Sequence, residues 1–202
     1  MTLQQTFATF SLILLLSACA SEDREASPIE TSAATLFPLE VGQYWVYEIR
    51  LGEEKALVEN HIAGSQTIDG TEWFLSVEYG EKFWIRNSEE GQVEAVNLYT
   101  KSEHAAVFEQ LDAKTLREEL LFKFPARPGD SWITLENVLR YEGIKTYTVP
   151  AGTFECHHYS ITQYGVAYSR SCIAEGIGIV YSDNLDASGE WEISRLTHWG
   201  KR

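Results

Sequence analysis

The chain has 202 residues, 44% of them hydrophobic and 12% aromatic, and a formal net charge of -14 at neutral pH. So negative a field excludes nucleic acid and anionic lipid surfaces as partners recruited by charge. The aromatic content excludes disorder throughout, since one domain's worth of chain can bury a core of this richness.

In chain order, the first feature is Phe7 to Leu16, nearly all apolar, followed by Ser17, Ala18 and Cys19 and then a hydrophilic run from Ser21. This pattern predicts a signal peptide over residues 1–18. Ten or so apolar residues rise only about 15 Å as a helix, whereas a bilayer span needs about twenty residues, so a permanent span is excluded on length. Residues 19–36 read as a linker rich in Ala, Ser, Thr and Glu, too poor in large apolar groups to bury a core. Residues 37–202 form a single domain.

Leu16-Ser17-Ala18-Cys19 resembles the lipobox of bacterial lipoproteins, which implies alkylation of the Cys19 sulfur with a diacylglycerol carrying palmitate-like chains and cleavage that makes Cys19 the new N-terminus. The competing reading is ordinary secretory cleavage after Ala18. Each buried methylene contributes about 0.8 kcal/mol, so two or three chains hold a protein on a membrane without a span. Ala20 lacks the Asp that marks inner-membrane retention, which points to the outer membrane. The run Ser21-Glu22-Asp23-Arg24-Glu25 is similar to export signals of surface-exposed lipoproteins and reads equally as a solvated tether. All charged residues follow Cys19, so the mature chain keeps the charge of -14.

Short stretches rich in aromatic and β-branched residues then recur: Tyr44 to Ile49, Trp73 to Tyr79, Phe83 to Arg86, Val93 to Tyr99, Thr146 to Val149, Phe154 to Ile161, Ala167 to Ile173, Ile177 to Tyr181 and Trp191 to Trp199. Turn pairs such as Asp69-Gly70, Tyr79-Gly80 and Tyr164-Gly165 separate them. The spacing predicts an all-β, mainly antiparallel domain. Asp112 to Leu121 is the only helix candidate, with Leu111, Leu116 and Leu120 on one face, or else a strand leading into Phe122-Lys123-Phe124.

The domain echoes itself. Phe37-Pro38, Gly42 and Trp45 match Phe124-Pro125, Gly129 and Trp132, and Tyr79-Gly80 with Phe83 matches Tyr164-Gly165 with Tyr168. Two related β-meanders, 37–123 and 124–202, are therefore expected, forming a curved sheet, half-barrel or sandwich with at most one short helix. In each Phe-Pro-x-x-x-Gly-x-x-Trp segment Pro fixes φ, Gly allows the reversal, and Trp is expected to pack as core.

With Cys19 acylated, Cys156 and Cys172 remain, and export makes a disulfide between them the expectation. If Phe154 to Gln163 pairs with Ala167 to Ile173 about a three-residue loop centred on Tyr164, the two cysteines stand directly opposite. A two-residue loop would shift that register by one.

Pro38-Leu39 with Gly42, Trp45 and Tyr47, the second Phe-Pro segment, Thr148-Val149-Pro150-Ala151-Gly152-Thr153-Phe154 with Cys156, and Gly176-Ile177-Gly178-Ile179-Val180 together resemble a group of uncharacterised bacterial lipoproteins and secreted β proteins. The resemblance spans most of the mature chain and implies a shared fold; its motifs are turn and packing signatures, with no catalytic residues to transfer. At fold level the lipoprotein carriers, LolA-like and LolB-like, are similar in offering a half-barrel.

Chemical motifs are sparse. His61, His104, His157, His158 and His198 show no zinc-hydrolase spacing, so no metal site and no cofactor is expected. His157 and His158 point to opposite faces of a strand and read as surface or edge groups. No Gly-x-Ser-x-Gly elbow is present, no catalytic residue is assigned, and acidic pairs such as Glu118-Glu119 read as solvated charges. Among six tryptophans, Trp84 and Trp191 flank polar turns and are expected to be exposed, as aromatics for a sugar or apolar ligand. The preferred reading is a non-catalytic envelope lipoprotein, on the membrane through its lipid, that binds an envelope protein partner or supports an assembly. A carrier of an apolar ligand and a hydrolase or glycan-active protein are the alternatives.

Overall fold

A computed structural model describes residues 36–97, 116–134 and 137–202. The signal peptide, Cys19, nearly all of the linker, His104 and the start of the helix candidate lie outside the described residues. Twelve strands follow in chain order: β1 (Gln43–Leu51), β2 (Glu54–Ile68), β3 (Thr71–Glu78), β4 (Glu81–Asn87), β5 (Gly91–Asn97), β6 (Leu116–Lys123), β7 (Ser131–Thr134), β8 (Asn137–Val149), β9 (Gly152–Gln163), β10 (Val166–Ala174), β11 (Gly178–Leu185) and β12 (Trp191–Lys201). All pair antiparallel in one sheet of order β6-β5-β4-β3-β2-β1-β12-β11-β10-β9-β8-β7. The described part of the helix candidate is strand β6.

Each half is a six-stranded meander, and β1 meets β12 with Gln43 opposite Lys201 and Trp45 opposite Trp199. The sheet thus goes beyond a half-barrel to a nearly closed ring with its seam between β6 and β7. Side chains bridge that seam: the Trp132 indole donates to the Leu120 carbonyl at 3.1 Å and the Thr134 hydroxyl donates to Glu119 at 3.0 Å. Bonding the edges this way answers the exposure of unpaired backbone that an open sheet leaves.

The sequence echo has a local structural counterpart. Gly42 N donates to Ile62 O at 3.0 Å and Gly129 N to Tyr141 O at 2.8 Å; Gln43 N donates to Glu40 O at 3.0 Å and Asp130 N to Arg127 O at 2.9 Å. Tyr79 and Tyr164 both take positive φ, 54° and 50°, ahead of Gly80 and Gly165.

Alternation on β1 turns Trp45, Tyr47 and Ile49 toward the core, where Ile62, Val180 and Leu196 meet them. A second cluster joins Leu36 and Phe37 to Phe122, Phe124, Tyr141 and Tyr159. Leu36, which the composition assigns to the linker, is fully buried in this cluster. The Tyr159 ring lies 5.2 Å from Phe122 and 5.1 Å from Tyr141, and its hydroxyl donates to Lys123 O at 3.0 Å. That satisfies the one polar atom of a side chain with no exposed surface.

Cys156 and Cys172 are disulfide-bonded, with Cα atoms 5.4 Å apart. The register differs from the expected one. The β9–β10 loop has two residues, Tyr164 and Gly165, since Gln163 pairs with Val166; a bulge at Tyr168 shifts the ladder once more. Two single shifts return the cysteines to one face, so Cys172 stands opposite His158 and reaches Cys156 diagonally. Closing so short a loop contributes roughly 3 kcal/mol.

Candidate functional site

Strands β1 to β5, the segment Phe37-Pro38-Leu39 and Gly178-Ile179 of β11 border a cavity of about 60 Å³. Trp45, Tyr47, Ile62 and Ile85 supply apolar wall, and Asn60, Ser76, Glu78 and Gln92 supply its polar groups. Strand geometry explains the mixture: Phe74, Ser76 and Glu78 alternate onto one face of β3, and Gln92 and Glu94 onto the same face of β5. The space takes four or five waters and falls short of the roughly 300 Å³ or more that a drug-sized ligand or acyl chain fills.

Three donors here are already engaged. The Trp45 indole donates to Ile177 O at 2.5 Å, the Tyr47 hydroxyl to Ile179 O at 2.8 Å and the Ser76 hydroxyl to Glu78 at 2.8 Å. Tyr79 N donates to the Asn60 carbonyl oxygen at 3.2 Å, and the Tyr79 hydroxyl pairs with Ser194 at 2.8 Å across the sheet. Burial pushes the Glu78 carboxyl up, against the pull of Ser76. Burial, and then the charge of Glu78, push Glu94 from 4.5 up to about 7.

Glu94 therefore gives a pH signature. A carboxyl whose folded-state value is raised costs stability as pH climbs from about 4.5 to about 7, because the unfolded chain releases its proton first. Glu94→Gln is expected to flatten that decline. In urea titrations the variant should exceed the parent by on the order of 2 kcal/mol at pH 8, with the gap closing near pH 4.5.

The sequence-named residues are dispersed. Trp191 is exposed, 37% accessible, and lies under the Arg170 guanidinium at 5.2 Å. Trp84 is not exposed: at 6% accessible it packs with Trp73 and Val93 on the face of β3–β5 opposite the cavity, so it is core and the turn beside it does not display it. The two tryptophans do not come together with the cavity. Cys156 and Cys172 sit in the core behind it. His157 and His158 do face opposite ways. His157 meets the Tyr141 hydroxyl at 2.9 Å, whereas His158 is buried and stacks on Tyr147 at 5.9 Å, so the expectation of a surface group fails for it. Its two ring nitrogens have no hydrogen-bond partner among the described residues, and burial holds it below the usual histidine range. Among the described residues no three His, Cys, Asp or Glu side chains gather as a metal site.

Sequence reasoning missed Glu78, Gln92 and Glu94. Their signal was present: Ser76 and Glu78 continue the inward face of Phe74, and a polar residue on a buried face of a strand is the informative exception.

No protein-family model matches the chain, and no curated protein matches it. Among solved structures, a candidate exported protein with a YmcC-like fold from Bacteroides fragilis NCTC 9343 is 12% identical, over 83% of this chain and 99% of that one, with a TM-score of 0.42. A candidate lipoprotein from Parabacteroides distasonis ATCC 8503 is 10% identical, over 82% and 98% of the respective chains, with a TM-score of 0.37. Likenesses this distant carry no weight for function.

Proposed function

We propose that the chain is a lipid-anchored protein of the bacterial envelope, held on the outer membrane through acyl chains on Cys19, whose β domain acts by binding. The observation that carries the compartment is the Cys156–Cys172 disulfide, fully enclosed in the core. A cytosolic chain would be kept reduced, and the bond agrees with export ahead of Cys19. The lipobox supplies the anchor, and about 0.8 kcal/mol per buried methylene supplies its strength.

Growing the source cells with an alkynyl palmitate analogue tests this directly. The full chain should take up label and sediment with outer membranes, while Cys19→Ser should lose the label and the pelleting together. Unlabelled parent chain, or label that survives Cys19→Ser, removes the anchor.

An envelope protein partner is favoured by one surface feature. Ile133 and Val138 pair across β7 and β8 at 75% and 42% accessible, and the same row continues through Thr162 to Ala167. Exposed apolar side chains in one row, beside an edge strand, are the usual mark of a contact surface.

A further inference from the structure

The far end of the β8–β9 hairpin is an arm that runs past its neighbour. The ladder between β9 and β10 ends where His157 meets Ile173, and beyond it β8 and β9 pair with each other. The arm lies against β11 and β12 instead: Tyr147 packs on Tyr181 at 4.6 Å, Phe154 meets Trp199 edge-on at 5.9 Å, and Ala151 N donates to Leu196 O at 3.0 Å. Gly143, at φ +98° beside a bulge, marks its root, and the Cys156–Cys172 disulfide pins that root to β10.

His158 sits at the root, opposite Gly143 on one side and Cys172 on the other. It is 3% accessible, the Tyr147 ring stacks over it, and neither ring nitrogen has a hydrogen-bond partner among the described residues. Such an enclosure accepts a neutral imidazole and resists a charged one. The charges around it do not change that. Lys145 of β8 and Arg170 of β10 repel an imidazolium, and burial together with Lys145 outweighs Glu142 of β8 and Asp183 of β11. Both acids are already engaged: Glu142 accepts from Ser160 at 2.7 Å, and Asp183 accepts from Arg170 at 2.6 and 2.9 Å and from the Tyr181 hydroxyl at 2.9 Å.

We propose that His158 is a pH-sensitive latch for this arm: neutral, it lies closed under Tyr147, and on protonation Tyr147 lifts to let water reach the ring, freeing the arm from β11 and β12. The closed form binds fewer protons than the open one. Its stability is therefore complete above about 6.5, the ordinary histidine value, and declines as pH falls below it. Each pH unit of that decline multiplies the open fraction by up to about ten. Opening uncovers Val149, which is 6% accessible in the core cluster that holds Val180 and Leu196. The latch draws nothing from the anchor, so it stands whether or not Cys19 is acylated.

The test is amide hydrogen exchange of the detergent-solubilised full chain at about pH 7.5 and about pH 5, read as protection factors so that the intrinsic pH dependence of exchange is removed. The Ala151 amide, whose bond to Leu196 breaks when the arm lifts, should lose protection at least fivefold at the lower pH. Amides of the β1–β12 ladder should keep theirs. In His158→Phe, which keeps a ring under Tyr147, and in His158→Gln, Ala151 protection should be the same at both values, with circular dichroism reporting that each variant keeps its fold. Glu94 titrates in the opposite sense, favouring the folded chain as pH falls, so it cannot imitate the loss. The proposal is overturned by unchanged Ala151 protection in the parent, by ladder amides that fall in step with it, or by a parental response in either folded variant. If one variant does not fold, the other decides.

Discussion

Gly91→Ala is expected to lower stability by about 3 kcal/mol or more. Gly91 opens β5 at φ +143°, and a Cβ placed there would lie 1.9 Å from Phe122 O and 2.9 Å from Lys123 Cα. Both obstacles are backbone of the partner strand, so no side chain can swing aside. To admit the methyl group, β5 must separate from β6 where Gly91 faces Lys123, and the neighbouring bonds from Ser88 N to Gly91 O and from Phe124 N to Glu90 O go with it. Gly80→Ala is the matched control, because Gly80 has φ +85° with nothing within 4 Å of the added atom. It should cost about 1 kcal/mol for backbone strain alone. For a domain of this size each kcal/mol moves the melting temperature by about 2–4 °C, so circular dichroism should place Gly91→Ala at least 6 °C below the parent and clearly below Gly80→Ala. Equal melting of the two variants would mean the strands yield without cost at Gly91.

How much of this was readable depended on whether packing or pairing decided each element. β1, β3, β4 and β9 to β12 contain residues that alternate between faces and were legible as strands. The long β2 was not. Its first four positions, Leu57 at 69% accessible among them, are all exposed, and the alternation that begins at Ile62 is carried by Ala, Gly, Ser, Gln and Thr, which give no apolar signal. What makes it a strand is backbone pairing to β1 on one side and β3 on the other, a tertiary fact. β6 misled for a different reason: Leu116 and Leu120, four apart, satisfy a helix and a strand face equally when the stretch is short. The disulfide was legible as a pair, and its register was not, because a bulge at Tyr168 leaves no mark in composition. Trp84 shows the same limit for the site. Proximity to a turn said nothing of the Trp73 and Val93 side chains that bury it.

Arg170→Met is expected to cost about 3 kcal/mol, and most of that should return in Arg170→Met/Asp183→Asn. Asp183 is 1% accessible on β11, directly opposite Arg170 of β10. Arg170 donates through Nε at 2.9 Å and Nη2 at 2.6 Å, one bond to each carboxylate oxygen, and the Tyr181 hydroxyl donates a third at 2.9 Å. Burial, and then the bond to Asp183, push that hydroxyl up to about 12. Removing the guanidinium leaves a carboxylate enclosed with one neutral donor, and breaking a buried pair in this way costs about 3–5 kcal/mol. The lower end applies because the Arg170 side chain is 49% accessible, so water reaches the site once it is gone. Met keeps an apolar stem near Trp191, which separates lost charge from lost packing. With Asn at 183 no charge is stranded, and the Tyr181 hydroxyl still finds an acceptor. Urea unfolding of the parent, both single variants and the double variant closes the cycle, with a coupling energy of about 2 kcal/mol expected. If the double variant is as unstable as Arg170→Met alone, the cost lies in the contact with Trp191, and the buried charge is not what holds β10 to β11.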